Sequence, residues 1–132
     1  MAAIDMTIEQ TITIKSSAAK VYDALTNAEQ FSELTGAPAE ISLDEGGAFL
    51  MFGGEINGRH LELVHGKRIV QAWRVTNMWD EGVYSIVKFD LAESDGETTL
   101  TMTHTGYPED AAEHLEPGWH KMYWEPLKAH LE

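Results

Sequence analysis

The chain contains no cysteine. That removes disulfides, thiolate metal sites and cysteine nucleophiles together, so stability has to come from packing. Positive charge is scarce: 9 Lys and Arg against 22 Asp and Glu leave a formal net charge of −13 with histidine neutral. A field of that sign repels phosphate backbones and anionic lipid surfaces, whose binding depends on Lys and Arg displacing counterions. Neither nucleic acid nor a membrane is therefore an expected partner. No window approaches the roughly eighteen apolar residues of a membrane span. Met1-Ala2-Ala3-Ile4-Asp5 lacks the basic segment and apolar run of a secretory signal, so the expected location is the cytoplasm. A Gly-rich phosphate loop closing on Lys-Ser/Thr, a nucleophile elbow and a dinucleotide fingerprint are also missing, which leaves nucleotide-dependent catalysis without support. The histidines, at 60, 65, 104, 114, 120 and 130, form neither a His-Glu-x-x-His motif nor an i, i+4 pair. No metal and no cofactor is expected.

What is present is ordinary globular material. With 132 residues, 43% of them hydrophobic and 23% charged, the chain is long enough to bury a core and short enough to be one domain over 1–132, with an ordered core at about 8–130. Ile8, Ile12 and Ile14 alternate with Glu9, Thr11, Thr13 and Lys15, the pattern of a half-buried strand. Ser16-Ser17 then precede Ala18, Val21, Tyr22 and Leu25 at helical spacing. Asn27 with Gln30 opens a second short helix carrying Phe31 and Leu34, which Gly36 and Pro38 end. From there to Thr105 the period is two. The spacing predicts six strands, at 39–43, 48–52, 55–64, 67–75, 83–91 and 98–105, with a bulge or bend at Gly53-Gly54. Short turns between them make neighbours antiparallel. A short helical piece with Ala111, Ala112 and Leu115 leads to Pro117-Gly118, followed by a longer helix whose stripe is Trp119, Met122, Tyr123, Leu127, His130 and Leu131. Pro126 predicts a kink in it, or a segment that stops near Glu125. The fold class is α+β.

The order of strand, two small helices, meander and long terminal helix resembles the helix-grip (START-like) fold of the SRPBCC superfamily. Its motifs narrow the likeness: Gly46-Gly47-Ala48-Phe49, Gly58-Arg59-His60-Leu61-Glu62-Leu63, Lys67-Arg68-Ile69-Val70-Gln71-Ala72-Trp73-Arg74, His104-Thr105-Gly106-Tyr107-Pro108, and Gly118-Trp119 ahead of Tyr123-Trp124. Over about residues 8–130 this set is similar to the C-terminal domain of the heat-shock-protein-90 ATPase activator family. The resemblance implies a curved sheet wrapped around the last helix, a stress-response setting and a chaperone as a possible partner. In the eukaryotic co-chaperones such a domain follows a separate N-terminal domain that makes the principal activating contact. Stand-alone members resemble ligand-binding modules.

Alternation assigns directions to the side chains. Leu100, Met102 and His104 share the face that looks toward the terminal helix, with Val87, Phe89 and Leu91 beside them and Phe49 and Met51 further along; Ile69 and Trp73 are placed there too. The helix offers Trp119, Met122 and Tyr123. The candidate ligand-binding set is thus Phe49, Met51, Trp73, Val87, Phe89, Met102, His104, Trp119, Met122 and Tyr123, rich in aromatic and Met side chains with a few polar tips. Such a set suits a cavity for a small apolar or aromatic molecule; the same residues equally describe a filled core. His104 on an apolar face reads as a histidine satisfied by a neighbouring hydroxyl. As the acid–base group of a cyclase- or aromatase-like enzyme it needs a carboxylate beside it, for which Glu62 and Glu125 are the candidates. Arg59, Lys67, Arg68 and Arg74 fall within sixteen residues and form a basic strip that either receives an anionic partner or pairs with surface carboxylates. The leading expectation is non-catalytic binding of a small apolar ligand, with a chaperone-partner protein as the alternative and an enzyme using His104 as the second alternative.

Overall fold

The computed structural model describes residues 7–132; the expectation drawn from Met1 to Asp5 lies outside the described residues. β1 (Thr7–Ile14) leads into α1 (Ala18–Thr26) and α2 (Ala28–Thr35). Both helices begin on side-chain caps: Ser17 Oγ accepts from the Lys20 N–H, and Asn27 Oδ1 from the Gln30 N–H, which satisfies donors that a helix start leaves unpaired. Gly36, at φ 74°, ends α2 in the left-handed conformation that costs glycine least.

Six strands follow: β2 (Glu40–Ile41), β3 (Ala48–Met51), β4 (Ile56–Val64), β5 (Arg68–Val75), β6 (Ser85–Ser94) and β7 (Glu97–Thr105). They form one antiparallel sheet in the order β1-β7-β6-β5-β4-β3-β2, so the first strand closes against the last. β6 and β7 are joined through Asp95 and Gly96, both at positive φ (54° and 79°), the two-residue turn whose twist matches an antiparallel pair. The meander departs from its sequence reading chiefly in β2 and at the start of β6. β2 keeps only two of the five expected residues, because Ser42 to Gly47 are drawn into the turn where the Gly47 N–H bonds to the Asp44 carbonyl. β6 starts at Ser85 instead of Val83, since the Val83 carbonyl accepts from Arg74 Nε. Of the bulge or bend expected at Gly53-Gly54 the structure has the bend, a tight 3₁₀ turn over Phe52–Gly54, and the register shift between His60 and Glu62 in β4 is a further irregularity that was not expected.

The tail is one helical run. α3 (Ala112–Gly118) continues through a π-helical turn (Trp119–Trp124) into α4 (Glu125–Leu131). Pro117 and Gly118 do not interrupt it: Gly118 holds helical angles of φ −61° and ψ −39°. The break expected near Glu125 is the widened turn itself, in which the Glu125 N–H reaches back five residues to the His120 carbonyl. A turn of that width absorbs the donor that Pro126 lacks. Inside it Trp119, Tyr123 and Trp124 are all buried, at steps of four and one that a regular α-helix does not place on a single face.

The core lies between this helix and the concave face of the sheet, with α1 and α2 closing one side. Trp124, Phe31, Phe49, Phe89, Leu100, Met102 and Leu127 are among its fully buried side chains. Burying each such residue stabilises the fold by about 2 kcal/mol before entropy is counted. Trp119 stacks on Trp124 at 5.5 Å and meets Phe89 edge to face at 5.8 Å.

Gly58 reports how tightly the sheet curls. A Cβ there would land on the Ala72 carbonyl of the neighbouring strand and 2.8 Å from the Phe49 ring. Gly58→Ala is expected to destabilise the protein by about 2 kcal/mol through overpacking, measurable as a lower urea midpoint with the m-value unchanged.

Candidate functional site

His104 lies on β7 between Ile8 and Val87 and is completely buried. Trp119 Nε1 donates to His104 Nδ1 at 3.2 Å. That contact makes Nδ1 the acceptor and puts the proton on Nε2, which donates to Ser85 Oγ at 2.7 Å. The Ser85 hydroxyl in turn donates to the Trp73 carbonyl at 2.8 Å. Each link therefore has one direction, and the chain runs from the helix through the imidazole to the sheet backbone. Burial pushes the His104 pKa down to about 3, so the ring is neutral at any physiological pH. Both nitrogens are engaged and neither is left to move a substrate proton.

The carboxylates needed for acid–base work lie elsewhere. Glu62 is half-buried and pairs with Arg68 at 3.4 Å, and Glu125 faces solvent on the first turn of α4. Among the described residues no group of three or more His, Asp or Glu is placed to hold a metal ion.

An apolar cavity of about 180 Å³ opens at one end of the core, between the Phe52–Gly54 turn and the C-terminal helix. Phe52, Ile56, Trp73 and Val75 wall it on the sheet side; Leu115, Trp119, Met122 and Tyr123 on the helix side. Glu55, His114 and Gly118 complete the lining. Phe52 owes its place to a positive φ of 54°, unusual for a bulky residue, which turns its ring back against Phe31 and Tyr123 at 5.5 Å each. Trp73 Nε1 donates to the Tyr123 hydroxyl at 3.4 Å, and burial raises the pKa of that phenol. Met122, 43% exposed, stands at the mouth.

Of the ten residues expected around a ligand, Trp73, Trp119, Met122 and Tyr123 line this cavity. Phe49, Met51, Val87, Phe89, Met102 and His104 face inward as alternation required, but they fill the core. The reason is on the helix: Trp119, Tyr123 and Trp124 all pack on Phe89, with ring centroids 5.8 to 6.5 Å away, and cover the middle of the sheet. The cavity is displaced to the end where β3 gives way to its turn. Phe52, Ile56, Val75 and Leu115 were missed; Gly53-Gly54 was the available signal, since a glycine pair ending a strand marks where the chain bends back.

A second polar feature was also missed. His60 and Gln71, opposite each other on β4 and β5, are buried, and neither His60 nitrogen nor Gln71 Oε1 has a partner at hydrogen-bond geometry. Burial lowers the His60 pKa, and the Ser42 backbone offsets part of that.

The basic strip divides. Arg74 is only 9% exposed and donates to the carbonyls of Val83, Trp79 and Asp80, tying down the 76–84 loop. Arg68 pairs with Asp90 and Glu62. Arg59 reaches the Gly46 carbonyl, and among the described residues neither Arg59 nor Lys67 has a carboxylate partner.

A seven-stranded antiparallel sheet gripping a C-terminal helix, its buried histidine locked and its cavity at one end, is a domain of the helix-grip, START-like class. Comparison with known proteins narrows this. The chain belongs to the family described as activator of Hsp90 ATPase homolog 1-like protein, whose sequence pattern matches residues 15–132. It is similar to the human activator of 90 kDa heat shock protein ATPase homolog 1, with 34% identity over 116 residues, 88% of this chain and 34% of that protein. The chain thus spans about a third of the length of the curated relatives it matches. The crystal structure of an Hsp90 activator from Plasmodium falciparum superposes with a TM-score of 0.89 at 26% identity, covering 94% of both chains. The Aha1 dimer from Colwellia psychrerythraea shares the fold, with a TM-score of 0.81 at 23% identity over 96% of each chain.

A histidine whose folded pKa is depressed destabilises the fold as pH drops. Above pH 6.5 both folded and unfolded states leave His104 neutral; below it only the unfolded state takes up the proton, until pH about 3. Between pH 6.5 and 5, before most carboxylates titrate, stability from urea unfolding is expected to fall by up to about 1.4 kcal/mol per pH unit for this group. His104→Gln should flatten that slope.

Proposed function

We propose that this chain is a non-catalytic binding domain, one unit over residues 1–132, that works in the cytoplasm as a partner of an Hsp90-type chaperone. One observation carries the reading: the likeness to the Plasmodium falciparum Hsp90 activator extends over 94% of both chains. The interior supports a binding role over an enzymatic one, because its buried histidine has both nitrogens in hydrogen bonds and no carboxylate beside it. Surface recognition falls to Arg59 and Lys67, the two cations of the strip without a carboxylate partner among the described residues. Arg74 is excluded from that role by its three carbonyl contacts.

Titration of a purified Hsp90 against the protein, followed by calorimetry and by the chaperone's ATP hydrolysis rate, tests this. Binding is expected at low salt, and Arg59→Glu with Lys67→Glu should weaken it about tenfold while leaving the melting temperature unchanged. A protein that is folded yet never binds the chaperone overturns the reading.

The cavity favours a second reading, a site for a small apolar or aromatic molecule. Its volume of about 180 Å³ is close to that of an engineered apolar cavity, about 150 Å³, that takes benzene. Ligand present at about a hundredfold excess over Kd stabilises the folded form by about 2.7 kcal/mol, so a library of one-ring compounds should raise the melting temperature. If none shifts it and xenon finds no site, the cavity has no ligand.

A further inference from the structure

The chemistry of the cavity wall restricts what can occupy it. Trp73 and Tyr123 both line the space, and their polar tips meet: the indole N–H donates to the phenol oxygen. The phenol's own proton has no acceptor among the described residues. Tyr123 is 4% exposed, and a buried donor left without a partner costs about 1 to 3 kcal/mol. Burial also keeps the phenol protonated, so toward any occupant it acts as a donor and never as an anion.

Charge at the wall points the same way. Among the eleven lining residues there is no Lys or Arg; a carboxylate, Glu55, and an imidazole, His114, stand at the wall of a chain of net charge −13. An anion would enter against that field with no Lys or Arg to pair with. A cation would have to share the space with the unpaired Tyr123 proton.

We propose that the cavity takes an uncharged molecule of about one ring carrying a hydrogen-bond acceptor, a heteroaromatic nitrogen or a carbonyl oxygen, which receives the Tyr123 O–H. The ring lies among the indoles of Trp73 and Trp119 and the side chains of Phe52 and Met122. This rests on the second reading above, that the cavity holds a ligand at all, and it adds which ligand and which atom holds it.

Benzene and pyridine form the test pair, since they share shape and differ by one acceptor. Each is titrated into the full chain at slightly alkaline pH, where pyridine is uncharged, and followed through the indole N–H resonances of Trp73 and Trp119. The same titrations are run on Tyr123→Phe. Both compounds are expected to shift those two resonances in the wild type. In Tyr123→Phe the affinity for pyridine relative to benzene should drop about fivefold, the worth of one neutral hydrogen bond. Benzene binding that survives in the variant shows that its cavity is intact. An unchanged ratio overturns the acceptor assignment and leaves the Tyr123 proton to water, while the cavity reading stands. Benzoate or tetramethylammonium binding as tightly as pyridine overturns the uncharged class. If neither benzene nor pyridine perturbs either indole in the wild type, the cavity reading itself fails and the inference with it.

Discussion

The helix is fastened to the sheet by one buried polar chain, and most of the interior is arranged to protect it. Trp119 donates to His104, His104 to Ser85, and Ser85 to the backbone of Trp73. Three elements, the π turn, β7 and the β5–β6 pair, thereby share one register. In a low-dielectric interior such a chain is strong only while every member is satisfied, since each unmatched group carries its full desolvation cost. The rings of Trp73, Trp119 and Tyr107 pack against the imidazole at 4.9 to 5.6 Å and keep water from competing. Packing alone would let the helix slide along an apolar face; directional bonds at one point fix where it stops.

That arrangement explains why the most chemical-looking residue is not the site. A histidine at the heart of a concave sheet invites a catalytic role, yet its environment has removed both its proton affinity and its free nitrogens. The space a ligand could use lies instead where the regular pattern fails. Phe52, the first residue after β3, takes a left-handed conformation, the chain bends back, and sheet and helix separate enough to leave a cavity. Strain of about 1 to 3 kcal/mol at such a position persists only because neighbouring contacts hold it, here the rings of Phe31 and Tyr123.

Much of this fold is legible in the sequence because a half-buried strand declares itself. In β7 four threonines alternate with Thr98, Leu100, Met102 and His104, and the structure puts the second set inside. The caps at Ser17 and Asn27 and the stop at Gly36 are equally local, each set by the hydrogen-bonding or backbone freedom of one residue. What was not legible depends on partners distant in sequence. Whether Phe89 lines a cavity or fills a core depends on three rings some thirty residues away. The late start of β6 depends on Arg74 claiming the Val83 carbonyl. The π turn is a compromise between Pro126, which removes a donor, and the aromatic residues that must all reach the core; a stripe drawn with a period of 3.6 cannot express it. The pairing of His60 with Gln71 needs the register of β4 on β5, which a bulge resets one residue later.

The two functional readings use different parts of the same sheet, the inner face at Trp73 against Arg59 on β4 and Lys67 in the β4–β5 turn, and β5 shows why they are separable. Alternation puts Trp73 inward and Arg74 outward. Trp73 is held by Tyr123 at its indole and by Ser85 at its carbonyl; Arg74 is held by three carbonyls of the 76–84 loop. A ligand changes affinity at a distant surface only through an element with two arrangements of similar free energy, which both sites bias. A strand pinned on both faces by directional bonds is a poor element of that kind. Occupation of the cavity is therefore not needed for recognition through Arg59 and Lys67, and chaperone binding is not needed to open the cavity. The net charge of −13 reinforces the separation: an acidic partner is drawn only to local positive charge such as Arg59, while Glu55 at the cavity sets a carboxylate against anionic occupants.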